Sequence, residues 1–232
     1  MDEAAREAGI RLADEVRALM VDLHRVEVSV DDLEAATEHL QAARHALDGP
    51  LRLRWYEIPS GGMDDETRTR VAGQARDHSL FRGSRNPAAP PLRVPTEAAD
   101  DGSTLVVGEA RVDRCHEGPP GRIHGGYLAG LFDDVLSGTV RLAGGRPAVT
   151  GRLRIRYRQA TPIEADLRFE AWVDHAGGRR VLSRARCLVD GTVTAEAEAL
   201  FVVVAPPAAT CPPTSTPVRW CASCAPATRP AR

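Results

Sequence analysis

Apolar residues recur at helical spacing in the first part of the chain. Leu12, Val16, Leu19, Leu23 and Val26 alternate steps of four and three, and Leu33, Ala36, Leu40, Ala43 and Leu47 do the same. Such steps draw one apolar stripe along each helix. Ser29 or Asp31 can cap the second helix, and Gly49-Pro50 can end it. Residues 1–50 are therefore expected to form a helical hairpin. Its stripes must pack on each other, on the main domain or on a second subunit, and simple helix packing is the reading preferred.

The pattern then fades. Residues 51–102 read as a connecting segment, in which "RLRWYEIP" suits a short strand or helix extension. "SRNPAAPPLRVPTEAADDGS" is polar and punctuated by proline, which predicts an extended loop rather than a regular element.

A clear order returns over 103–204. "STLVVGEARVD" predicts a strand, and a helix is expected from Gly125 to Leu142, with Leu128, Leu131, Phe132, Val135 and Leu136 facing the core. Four strand-like runs follow: "AVTGRLRIRYRQ", "ADLRFEAWVDH", "RRVLSRARCLVD" and "TVTAEAEALFVVVA". "HAGGR" and "DGT" supply turns between consecutive runs. One strand, one helix and an antiparallel meander make an α+β domain. Residues 205–232 hold seven prolines and little apolar content, so a disordered tail is expected there.

Composition narrows the function classes. The 232 residues are 43% hydrophobic and carry 30 basic and 32 acidic side chains, every basic one an arginine. That balance lacks the clustered positive field of a nucleic-acid binder. The start is acidic and has no apolar core of a signal peptide, and no apolar run approaches the ~18 residues of a membrane span. A cytoplasmic protein with no nucleic-acid or membrane partner is expected. Of the five cysteines, Cys115 and Cys187 fall in strand-like segments and read as small apolar filler. Cys221 and Cys224 have C-x-x-C spacing but lie in the proline-rich tail with Cys211. No second pair completes a zinc site, so no metal site is expected.

The candidate chemistry lies at "GPPGRIHGGYLAGLFDDVLSG", residues 118–138. A helix start offers free backbone N–H groups, and Gly125 and Gly126 let a ligand oxygen come close to them. That suits a carbonyl whose oxygen turns negative during acyl transfer, although "HGG" alone also describes a tight turn before a helix. Asp133 lies off the core stripe, with Ala129, Gly130 and Ser137 as small helical neighbours that leave room around its carboxylate. Asp133 and Asp134 could equally be solvated surface acids. Eight residues separate Gly125 from Asp133, about 12 Å of helix rise. A carbonyl-oxygen donor and the attacking group must both reach one reacting centre, within ~3 Å. If both act, two copies of the chain must share each site.

The stretch "EGPPGRIHGGYLAGLFDD" resembles the signature of the hotdog-fold thioesterases of the phenylacetate-pathway (PaaI-type) superfamily, especially the branch typified by the carboxyl-terminal modulator protein. The similarity continues in "NPAAPPLRV", "VTGRLRIRYRQATPI" and "AEAEALFV", covering residues 84–204. The resemblance implies a helix wrapped by a curved antiparallel sheet, paired into a homodimer or a dimer of dimers. It implies cleavage of acyl-CoA thioesters without metal or cofactor. By position it makes Asp133 the catalytic carboxylate, as general base or nucleophile. It makes Gly125 the backbone donor, His124 the motif histidine beside the pocket and Thr150 an active-site hydroxyl. Some relatives place an asparagine six residues before that histidine, where this chain has Gly118.

Substrate contacts are expected from Gly126, and from Arg154 and Arg156, which share a strand face with Arg152 and Arg158 and suit the phosphates of CoA. The same arginines could instead form a solvated face balanced by acids. Two other functions remain open at this point: a hotdog hydratase or dehydratase, and a non-catalytic acyl-CoA-binding or regulatory protein. The first would want a histidine near Asp133, and none follows until His175.

Overall fold

A computed structural model describes residues 3–49, 52, 64–99 and 102–204. The expected tail at 205–232, with Cys211, Cys221 and Cys224, lies outside the described residues, as does most of "RLRWYEIP".

Six strands form one antiparallel sheet: β1 Thr96–Ala98, β2 Thr104–Arg111, β3 Ala148–Tyr157, β4 Asp166–Gly177, β5 Arg180–Val189 and β6 Thr192–Val203. Their order across the sheet is β1-β2-β4-β5-β6-β3, so β3 is an edge strand. Alternation along β5 and β6 buries every second residue, among them Ala185, Cys187, Ala195, Ala197, Ala199 and Phe201, on the face that meets the long helix Gly125–Leu142. That helix buries Leu128, Leu131, Phe132, Val135 and Leu136, the stripe its spacing predicts. Phe132 and Phe169 meet edge-to-face with ring centroids 5.1 Å apart, both fully buried. Truncating either to alanine would cost roughly 3–5 kcal/mol. Gly108 on β2 lets the helix approach closely, since a Cβ there would lie 2.5 Å from Val135 Cγ2. The helix wrapped by an antiparallel sheet is the expected hotdog arrangement.

The N-terminal part differs from expectation. Helices α1 Glu3–Arg25 and α2 Val30–Ala46 form, with Ser29 capping α2 through the Asp32 N–H at 3.2 Å. Their leucine stripes do not bury: α2 has no buried residue, and Leu23 and Leu47 are 62% and 67% exposed. Helix α1 is held by a different face. Ala13 is buried, Arg6 pairs with the buried Asp77 at 3.0 Å, and Arg17 donates to Ala89 O and Asn86 O at 2.9 and 3.1 Å. Anchoring by arginine rather than leucine hides from a periodicity count. The segment 51–102 is also more regular than its prolines suggest. It contains α3 Asp65–Asp77, capped by Asp64, and β1, which pairs with β2. The core helix is therefore α4 Gly125–Leu142. Cys115 falls in a short 3-10 turn, Arg114–His116, not in a strand.

Candidate active site

The loop before α4 is built by its prolines and glycines. Arg122 N–H donates to Pro119 O at 2.9 Å, and Gly121 adopts φ +73°, a conformation open to glycine at the third position of such a turn. Gly118 passes close to the histidine: a Cβ there would lie 2.8 Å from His124 Cα. An asparagine at that position would force the loop to move, which explains why glycine accompanies this turn. His124 N–H donates to His116 O at 2.8 Å, fixing where the helix begins.

His124 is the N-cap of α4, and its Nδ1 accepts from Gly126 N–H at 3.1 Å. The two glycines are thus unequal. Gly126 N–H is taken by the histidine, whereas Gly125 N–H has no acceptor among the described residues. Gly125 is the open donor at the positive end of the helix dipole. Its carbonyl accepts from the Tyr157 hydroxyl at 2.8 Å.

Eight residues along, Asp133 is half-buried on the side of α4 that faces β3. Thr150 Oγ1 donates to Asp133 Oδ1 at 2.8 Å. The adjacent acid faces elsewhere. Asp134 is paired with Arg82, which also donates to the Asp134 carbonyl and to Ser137 Oγ at 3.3 Å. Burial raises the Asp134 carboxyl above its ordinary value, against the pull of Arg82. Asp134 therefore ties α4 to the segment before it.

The small neighbours of Asp133 serve a different end from the one expected. Gly130 makes room for a ring, since a Cβ there would lie 2.3 Å from Phe81 Cζ. Ser137 Oγ donates to Asp134 O at 2.6 Å. Phe81, Arg82 and Tyr157 are contacts that reading the motif missed. Only Tyr157 left a signal, as the third member of the inward series Leu153, Ile155, Tyr157.

Arg154 and Arg156 lie on the sheet face opposite Asp133. They line an open groove of about 520 Å³ with Trp172, Arg184, Arg186, Glu196 and Glu198. Each stands across from a glutamate, Glu198 or Glu196, yet those carboxylates pair with Arg152 at 3.5 Å and Arg158 at 2.6 Å. Arg154 and Arg156 have no ion-pair partner among the described residues. Burial pushes the Cys115 and Cys187 thiols up to about 11, which leaves neither as a thiolate nucleophile at neutral pH. Among the described residues no group of three or more His, Cys, Asp or Glu side chains could hold a metal, and no helix is long and apolar enough to cross a membrane.

Comparison with known proteins bears on the family and the fold. Residues 120–199 match the family described as the thioesterase superfamily. The chain is 33% identical over 93 residues to acyl-coenzyme A thioesterase THEM4 of Xenopus laevis, a stretch that covers 39% of this chain and 41% of that relative. The match thus takes in about two fifths of the relative's length. A crystal structure of a thioesterase superfamily protein superimposes with a TM-score of 0.66 at 28% identity, over 84% of this chain and 94% of the other. The chain carries a thioesterase-superfamily domain of hotdog fold, with Asp133, Thr150, His124 and Gly125 within or against its central helix.

Proposed function

We propose that this chain hydrolyses acyl-CoA thioesters to a free acid and CoA. The observation that carries the reading is the Thr150–Asp133 hydrogen bond at 2.8 Å on a half-exposed carboxylate. One carboxylate oxygen is held by the hydroxyl, and the other is left to take a proton from water. The name of the Xenopus relative supports CoA as the thiol.

In the step proposed, the thioester carbonyl oxygen accepts from Gly125 N–H, with the helix dipole behind it. Water attacks the carbonyl carbon while Asp133 of the partner subunit takes the water proton as general base. The tetrahedral oxyanion collapses, the C–S bond breaks, and the proton on Asp133 passes to the departing sulfur. The ~12 Å of helix rise between Gly125 and Asp133 requires two chains for each site. The unpaired edge of β3 supports a two-fold dimer joined through that strand. The groove lined by Arg154 and Arg156 on β3 and by Trp172 on β4 suits the phosphates and adenine of CoA.

The test is thiol release from a panel of acyl-CoAs. Release that disappears in Asp133→Asn supports the reading. Addition of water across the acyl chain with the thioester intact identifies a hydratase. Tight binding with no turnover on any substrate identifies a binding protein.

A further inference from the structure

The amide between Gly125 and Gly126 joins two side chains. The Tyr157 hydroxyl donates to its carbonyl at 2.8 Å, and its N–H donates to His124 Nδ1 at 3.1 Å. Both bonds belong to one peptide group. They therefore form a single chain, from phenol to carbonyl and from N–H to imidazole. Hydrogen bonds linked through one polar group polarise each other, so the loss of the first weakens the second.

The tautomer of His124 follows from this chain. A ring nitrogen that accepts an N–H carries no proton of its own, so the single proton of the neutral ring is on Nε2. His124 is exposed, and its Nε2 has no partner among the described residues. We infer that Tyr157 is a positioning residue that acts through the 125–126 peptide to hold His124 in its Nε2-protonated form. The exposed head of α4 then carries two free donors, Gly125 N–H and His124 Nε2–H. This rests on the proposed reading that the thioester carbonyl binds at the head of α4.

Two features fit the phenol to this task rather than to packing. Tyr157 is 53% exposed on an edge strand, so its ring adds little to the core. Gly125 is matched to it, because a Cβ at 125 would lie 3.2 Å from the Tyr157 oxygen. A Cβ there would make the hydroxyl give way by a few tenths of an ångström.

The experiment is Tyr157→Phe, which keeps the ring and removes the donor. It reads kcat and KM for the best acyl-CoA, thermal melting, and the ¹⁵N spectrum of the His124 ring, assigned with His124→Gln. The expected result is kcat lower by roughly three- to tenfold with KM and melting unchanged. The two His124 ring nitrogens should also move from well-separated shifts toward a tautomer average. An unchanged kcat, or a His124 spectrum identical to that of the unmodified protein, overturns the inference. If the unmodified protein releases no thiol, the hydrolase reading fails, and the His124 spectrum alone still decides the relay.

Discussion

Thr150 and Tyr157 lie seven residues apart on β3, yet both turn their hydroxyls toward α4, to Asp133 and Gly125 respectively. Strict alternation would place them on opposite faces. The register shift between Thr150 and Arg152, at Gly151, adds a residue and brings them to the same face. One strand thus touches both residues of the proposed chemistry, at its two ends. Antiparallel pairing of two such edges about a two-fold axis between Leu153 and Arg154 would bring Thr150 of one chain beside the partner's Tyr157, and so Asp133 toward the partner's Gly125.

The two adjacent acids should separate cleanly on substitution. Asp133→Asn should lower turnover by roughly two to four decades, the usual worth of a general base, with melting unchanged. Asp134→Asn should leave Arg82 without its carboxylate in a half-buried position and cost roughly 1–3 kcal/mol of stability. Urea unfolding and thiol release on the same two variants check this. An Asp134→Asn protein that is inactive yet fully stable would reverse the assignment.

Stability should fall on the acid side of neutrality because of two partly buried histidines. His116 stacks on Tyr127 with ring centroids 4.0 Å apart, and burial lowers its pKa from the ordinary 6.5. Its Nδ1 is 3.2 Å from Asp113 Oδ1, which opposes the shift without overcoming it. His78 is lowered by burial and then by Arg52 and Arg85, against Asp77. The unfolded chain therefore binds more protons than the native one below the ordinary value. The histidine contribution is intact above about 6.5 and is lost as pH falls toward the native pKa values. Urea midpoints at about pH 7.5 and about pH 5.5 should drop between the two, and less so in a His78→Gln, His116→Gln variant. Equal drops in both proteins would remove the histidines as the cause.

The parts of this molecule that were legible in the sequence are those fixed by local periodicity. Helix α4 has the bounds its stripe predicts, and the four later strands fall within a few residues of their runs. The Asp133 motif was legible through order and spacing. The rest depends on contacts between distant segments. Phe81 fills the space at Gly130, Arg82 holds Asp134, and Arg17 binds the loop carbonyls of Asn86 and Ala89. Helix α3 buries only Val71 and Asp77, too little to draw a stripe. The shared face of Thr150 and Tyr157 depends on a one-residue bulge, which alternation cannot report.

The outer arginines test whether CoA is held by its nucleotide end. Replacing both Arg154 and Arg156 by alanine should raise KM for acyl-CoA by about tenfold or more, the worth of lost charge-assisted hydrogen bonds, with kcat unchanged. An acyl-pantetheine substrate without the nucleotide should show no such rise. An unchanged KM for acyl-CoA would mean that the groove is a solvated face balanced by Glu196 and Glu198.

The shared site makes the most specific prediction. Gly125→Val puts a branched side chain over the residue whose N–H is the open donor, where a Cβ alone would already lie 3.2 Å from the Tyr157 hydroxyl. Asp133→Asn removes the base and keeps the side-chain shape. Each homodimer should be inactive, because every site lacks either the donor geometry or the base. A mixed dimer carries both defects in one site and neither in the other. At equal mixing about half the dimers are mixed, and each has one intact site of two. Activity should recover to roughly one quarter of that of the unmodified protein. The recovery should follow the rate of subunit exchange, measured separately by mass-labelled chains. Exchange without recovery would show that Gly125 and Asp133 do not meet across the two-fold axis, and so would full activity in a monomer by sedimentation.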